Sequence, residues 1–221
     1  MKKIEAVLFD LDGTLLDTAP DFYVVLNRVL AEANRPPVNY QLVQNTVSNG
    51  ARALITAAFN LTDADPQFAD LLQKLLHYYS GHLAVKTVLF PGLDNFLKEL
   101  ENRDIAWGIV TNKPSQYTNP ILEQLNLQHR CGIAICPDQV VHKKPHPEPI
   151  YKACTELGVD PQRAFYVGDH VRDIESGRAA GSKTVGALWG YIPADENTQA
   201  WQADFYVDRS EQLAQLFESL W

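Results

Sequence analysis

The 221-residue chain is 46% hydrophobic with a formal net charge of -8, which allows one substantial core plus a smaller dependent unit. Its 19 basic residues are scattered, so the field of the whole molecule repels phosphate backbones and anionic lipid, and nucleic-acid and membrane partners are excluded. Cys131, Cys136 and Cys154 form no CxxC pair and read as thiols buried in a reducing compartment.

Lys2 and Lys3 resemble the start of an export signal, but the apolar run behind them ends at Asp10, well short of an export core. No later stretch reaches the length of a membrane span, and a cytoplasmic protein is expected. Residues 4–9 are mostly apolar and end in Asp10-Leu11-Asp12-Gly13-Thr14, so they read as a buried strand that delivers acidic residues to a loop. The interval 17–86 carries no strand pattern. It holds helical spacing at 22–32, 40–47, 51–59 and 68–82, broken at Arg35-Pro36-Pro37, Asn49-Gly50 and 63–66. A crossover between parallel strands needs one helix, so the surplus reads as a small cap over a crevice mouth. Strand patterns recur at 105–110, 132–136, 164–167 and 184–188, separated by helical patterns at 93–103, 120–127, 149–157 and 174–180. This alternation predicts an α/β fold with a doubly wound parallel sheet, its core made of 1–16 and 86–221 and its helical cap of 17–85. Ligands in such folds sit beyond the carboxyl ends of the strands, at the switch point.

Asp10 and Asp12 are two apart at a strand end, where side chains at i and i+2 leave on the same side and flank one reacting centre. Two anions so close repel unless a cation lies between them. Gly168-Asp169-His170-Val171-Arg172-Asp173 places further carboxylates at another strand end. Mg²⁺ takes oxygen ligands and substrate phosphate, so Asp169 reads as a direct ligand. Asp173, one helical turn on, reads as support for that shell or as a helix cap. Thr111 and Asn112 read either as groups that meet a phosphate oxygen or as a helix N-cap before Pro114. In Lys143-Lys144-Pro145-His146-Pro147 a cation precedes a proline-stiffened turn, where one ammonium can stabilise phosphate and its pentacoordinate transition state. The six histidines show no shared ligand spacing, and only His170 lies near this chemistry. Trp107 and Tyr166 fall within predicted strands and read as core.

Taken in order, Asp10-Leu11-Asp12-Gly13-Thr14, Thr111-Asn112, Lys144-Pro145 and Gly168-Asp169 with Asp173 resemble the haloacid dehalogenase superfamily over essentially the whole chain. The resemblance implies a Rossmann-like core, a helical cap after the first motif, and phosphoryl transfer through an aspartyl phosphate. It makes Asp10 the nucleophile and Asp12 the acid that protonates the leaving oxygen and then activates water. Thr111 and Lys144 resemble the phosphate-binding pair, with Asn112 beside them. Mg²⁺ is implied at Asp10, the backbone carbonyl of Asp12 and Asp169, supported by Asp173.

Ser48-Asn49-Gly50-Ala51-Arg52-Ala53, Trp107-Gly108-Ile109-Val110-Thr111-Asn112-Lys113-Pro114, Ile135-Cys136-Pro137-Asp138 and Gly190-Tyr191-Ile192-Pro193 narrow the likeness. They resemble the phosphoglycolate phosphatase branch, and within it the phosphatases of N-acetylmuramic acid 6-phosphate. A small phosphorylated metabolite is therefore the expected partner of a monomer or homodimer. Both named substrates carry a carboxylate, for which Arg52 in the cap is the candidate cation. The second aspartate argues against a dehalogenase, while a sugar phosphomutase and an inactive metabolite-binding relative remain as alternatives.

Overall fold

The apolar run after Glu5 forms β1 (Ala6–Phe9), buried along its whole length, at the centre of the computed structural model, which describes residues 3–220. Met1, Lys2 and Trp221 lie outside the described residues, and with them Lys2 of the amino-terminal pair and the outermost ends of the expected core. A two-residue strand β2 (Leu16–Asp17) leads into the helices α1 (Ala19–Glu32), α2 (Tyr40–Val47), α3 (Gly50–Phe59) and α4 (Phe68–Ser80). The chain returns through β3 (Val88–Leu89), which pairs antiparallel with β2, so it leaves and re-enters the helical segment through adjacent strands. Asp21 of α1 clamps this return, accepting from the Lys86 amide at 2.9 Å and the Thr87 hydroxyl at 2.7 Å.

Strands and helices then alternate: α5 (Leu93–Asn102), β4 (Ala106–Val110), α6 (Ser115–Gln124), β5 (Ile133–Ile135), α7 (Glu148–Leu157), β6 (Ala164–Gly168), α8 (Val171–Ala180), β7 (Lys183–Ala187), β8 (Phe205–Val207) and α9 (Leu213–Glu218). Among the described residues six parallel strands form one sheet in the order β5-β4-β1-β6-β7-β8, the doubly wound α/β arrangement expected. Its switch point is the carboxyl end of β1. Phe9 is in register with both Ile109 and Val167, so the segments that follow these three residues leave the sheet at one level.

Alternation along the strands sorts two faces. Val7, Phe9, Ile109 and Val167 join a large core with α5 and α9, while Leu8, Val110 and Tyr166 pack with Ile150, Ala153 and Cys154 of α7. Phe96 of α5 receives the edge of Phe9 on one side and Phe217 of α9 on the other. An α9 of six residues is too short to persist by itself, so the burial of Leu213 and Phe217, about 1.5–3 kcal/mol each, is what holds it.

Four details depart from the sequence reading. β2, β3, β8 and α9 were not predicted, because elements of two to six residues give too little periodicity to detect. The helix expected from residue 120 begins at Ser115, whose amide and hydroxyl both donate to Asp138, and Pro120 lies inside it; proline's preference for first turns misplaced the start. Cys136 and Cys154 are buried thiols, but Cys131 is only partly buried. Tyr166 is not purely core, as its hydroxyl reaches the site described below. No helix of the described residues is long and apolar enough to cross a membrane.

Candidate active site

The loop after β1 doubles back within a few residues, with the Leu11 amide donating to Asp10 Oδ1 at 2.7 Å. Gly13 makes the turn at φ +83, and a Cβ there would lie 2.3 Å from Asp169 Oδ2. Only glycine meets both demands. The turn brings the first acidic loop against the one after β6, and Thr14 Oγ1 donates to Asp169 Oδ1 at 2.9 Å. Gly168 serves the same purpose, since a Cβ on it would sit 2.3 Å from that of Asp173.

Lys144 joins these loops from the far side of the sheet. Its ammonium lies 2.8 Å from Asp10 Oδ1 and 2.7 Å from Asp173 Oδ1, and donates to the Val110 carbonyl and the Tyr166 hydroxyl. At 2% exposure Lys144 tolerates its charge because these partners replace water. Burial alone would lower its pKa, and Asp10 and Asp173 instead hold it above the ordinary value. Asp173 takes the helix-cap role read from the sequence, accepting from the His170 amide, and it also grips Lys144, a contact the sequence did not suggest. Asn112 donates to the Lys144 carbonyl at 3.1 Å, leaving its own Oδ1 buried without a partner among the described residues. Thr111 lines the cleft, its hydroxyl oxygen accepting from the Lys113 amide.

One carboxylate oxygen from each of Asp10, Asp169 and Asp173 lies within 4.8 Å of the others. Burial pushes the Asp169 carboxyl up to about 7, with the charges of Asp10 and Asp173 adding to the shift. Burial likewise raises Asp10, against the opposing pull of Lys144. Three carboxylates around one lysine leave an excess of buried negative charge, and the donor set is all oxygen. Such a centre suits a small hard divalent cation.

Asp12 points along a different path. Its Oδ1 accepts from Thr18 Oγ1 at 2.6 Å and Lys113 Nζ at 2.9 Å. Thr18 precedes α1 without capping it by its side chain, because the hydroxyl is committed to Asp12. Lys113 was missed at the sequence level. It is 8% exposed and lies over the rings of Tyr79 and Phe22, 4.7 and 5.0 Å from their centroids. Its position directly after Thr111-Asn112 was the available signal, but nothing in the sequence marks it as buried. Tyr191 was missed too: its amide donates to Asp169 and its hydroxyl to Asp17, while that hydroxyl oxygen accepts from the Ala19 amide at the start of α1.

Above these groups opens a cleft of about 430 Å³, floored by Asp10, Asp12 and Lys144 and walled by Leu72, Leu76 and Tyr79 of α4. Arg52 reaches its rim, but the guanidinium is paired with Asp63 and lies over the Phe68 ring, so it is not gathered with the aspartates. Arg172, at the start of α8, donates to the Ser48 carbonyl and to Asn49 Oδ1, joining the sheet to the turn before α3. His170 caps α8, and burial, aided by the Arg172 charge, pushes its pKa down to about 4.

A parallel sheet whose switch point gathers acidic loops and a buried lysine under helices inserted after the first strand defines a doubly wound α/β protein with an oxygen-donor centre. The chain belongs to the haloacid dehalogenase-like hydrolase family, whose model matches residues 7–187. It is 43% identical to an N-acetylmuramic acid 6-phosphate phosphatase of Pseudomonas aeruginosa, covering 98% of this chain and 96% of the other. It is 42% identical to a phosphoglycolate phosphatase of Xanthomonas campestris pv. campestris, covering 96% of each. The crystal structure of a predicted phosphoglycolate phosphatase from Haemophilus somnus 129pt superposes with a TM-score of 0.85 at 27% identity, covering 98% of this chain and 99% of that one.

Proposed function

We propose that the chain is a magnesium-dependent phosphomonoesterase that hydrolyses a small phosphorylated metabolite through an aspartyl phosphate on Asp10. The observation that carries this reading is the Asp10 carboxylate on the cleft floor, 2.8 Å from Lys144 Nζ and beside the carboxylates of Asp169 and Asp173. A carboxylate nucleophile divides one difficult displacement into two easier ones. The free oxygen of Asp10 attacks phosphorus, the ester P–O bond breaks, and Asp12 gives its proton to the leaving alcohol. Asp12 then takes a proton from water, whose oxygen attacks the acyl phosphate and releases inorganic phosphate and free Asp10. Lys144, Thr111 and Asn112 meet the phosphate oxygens.

The oxygen-rich, over-negative centre fits Mg²⁺ on Asp10, Asp169 and the Asp12 backbone carbonyl, with Asp173 orienting the set. When bound, the ion supplies the positive charge that lets an anionic carboxylate approach an anionic phosphate. Residues 1–16 and 86–221 form the catalytic core and 17–85 the cap, and the unbridged thiols support a cytoplasmic location.

N-acetylmuramic acid 6-phosphate is the substrate the cleft supports best. A two-carbon acid phosphate would leave the apolar wall of Leu72, Leu76 and Tyr79 uncovered in a cleft of about 430 Å³, whereas a sugar acid phosphate reaches it. Arg52, at the rim, turns from Asp63 to the sugar's carboxylate. Phosphate release from N-acetylmuramic acid 6-phosphate and from 2-phosphoglycolate, each with Mg²⁺ and with chelator, tests this. A higher kcat/KM for the sugar acid is expected, lost with chelator. Preference for 2-phosphoglycolate overturns the substrate, and release from neither overturns the activity.

A further inference from the structure

The segment that carries Lys144 into the site has an outward side built from residues the reaction does not use. His142, His146 and Glu148 stand there, with one ring nitrogen of each imidazole and one Glu148 oxygen all within 4.8 Å of one another. The sequence reading found no shared ligand spacing and passed over His142 and His146, which stand four apart with prolines at 145 and 147 that argue against a helix; a turn brings the pair together instead. We propose that His142, His146 and Glu148 form a site for one borderline transition-metal ion of the Zn²⁺ type, separate from the acidic centre at Asp169.

The three side chains are already oriented. Glu148 accepts from the Val141 amide at 2.8 Å and from the His142 amide at 2.9 Å, and the Val141 bond in particular holds its carboxyl below the ordinary value. Its Oε2 lies 3.0 Å from His142 Nδ1, so these two ligand atoms already face each other, and an ion binding both would displace the proton between them. The His142 and His146 rings lie 4.5 Å apart between centroids, inclined by 33°. The backbone beneath is tied down: the His146 amide donates to the Lys143 carbonyl, and Ser176 Oγ donates to the His146 carbonyl.

With metal–nitrogen bonds of about 2.0–2.1 Å, tetrahedral ligand atoms stand about 3.4 Å apart. The Glu148 Oε2–His142 Nδ1 pair already stands near that value, and the exposed His146 ring, whose Nδ1 accepts from the Glu148 amide at 3.2 Å, completes the set by turning about its own side-chain bonds. Two imidazoles and a carboxylate with open positions suit Zn²⁺ and disfavour Mg²⁺, which prefers oxygen and octahedral geometry. The two centres therefore select different ions.

Calorimetric titration of Zn²⁺ into the untagged full chain, held in excess Mg²⁺, tests this site independently of the phosphatase reading. One Zn²⁺ is expected to bind the wild type, to be lost in His142→Gln/His146→Gln, and to persist in Asp169→Asn. Glu148→Gln should weaken it about tenfold or more. Zn²⁺ should also raise the melting temperature of the wild type but not of the double variant, whose substitutions are at exposed positions. Zn²⁺ binding that is absent from the wild type, unchanged in the double variant, or lost in Asp169→Asn overturns the proposal.

Discussion

Lys113 Nζ lies 2.9 Å from Asp12 Oδ1, held between that carboxylate and the stacked rings of Phe22 and Tyr79. Burial would depress the lysine, but Asp12 and Tyr79 together raise Lys113 above its ordinary value, so the cation stays charged beside the proposed acid. Lys113→Met should lower kcat by about tenfold to a hundredfold, part of the range that general acid–base catalysis supplies, with a smaller change in KM. Steady-state kinetics on the preferred substrate measures both. Unchanged kcat would detach Lys113 from the chemistry.

Asp10→Asn should lower turnover about 10⁴-fold or more, as the loss of a nucleophile does, while the protein still folds. The folded Asp10 carboxyl is raised, so its ionisation opposes folding at neutral pH and a neutral amide relieves that opposition. In chelator the variant should melt no lower than the wild type by calorimetry. A large drop would mean that the ion pair with Lys144 outweighs the crowding of carboxylates.

Metal removal should be visible in stability as well as in rate. Asp169 is raised from 3.8 to about 7, above its unfolded value, so its contribution is complete below pH 3.8 and is lost as pH rises to about 7. Chelated protein should therefore lose stability across that window, and Mg²⁺ should restore it at pH 7, by about 2.7 kcal/mol at a hundred times Kd. Thermal melts against pH, with and without Mg²⁺, measure this. Asp169→Asn should flatten the pH dependence and abolish the Mg²⁺ gain.

Arg52→Ala should weaken kcat/KM for the carboxylated sugar phosphate far more than for p-nitrophenyl phosphate, because only the former offers a carboxylate to the guanidinium. Exposed ion pairs contribute little to stability, about 0–1 kcal/mol, so loss of the Asp63 contact should leave the melting temperature nearly unchanged. Equal kinetic losses for both substrates would remove this role.

Asp204 accepts from the Thr184 amide and hydroxyl and from Lys183, tying the segment before β8 to β7. Burial alone would raise its carboxyl, and the bonds from Lys183 and Thr184 bring it below the ordinary value. A depressed carboxyl stabilises above its unfolded value, and that help is lost as pH falls through the folded one. Asp204→Asn should thus cost stability at pH 7 and little at pH 2, read from denaturant midpoints at the two pH values.

The linear sequence by itself determined the alternation of strands and helices, the helical insert after the first strand, and the placement of Asp10, Asp12, Thr111 and Asp169 just after strands, because period and punctuation are local properties. The short β8 and α9 escaped it, since their stability comes from pairing with β7 and from burial of Phe217 rather than from their own residues. Only the tertiary structure decided which charges meet. Lys144 finds both Asp10 and Asp173, Lys113 finds Asp12, and Arg52 turns to Asp63. Each depends on how far a side chain reaches across segments distant in the chain and on how much water is left around it, and neither quantity is written in the order of residues.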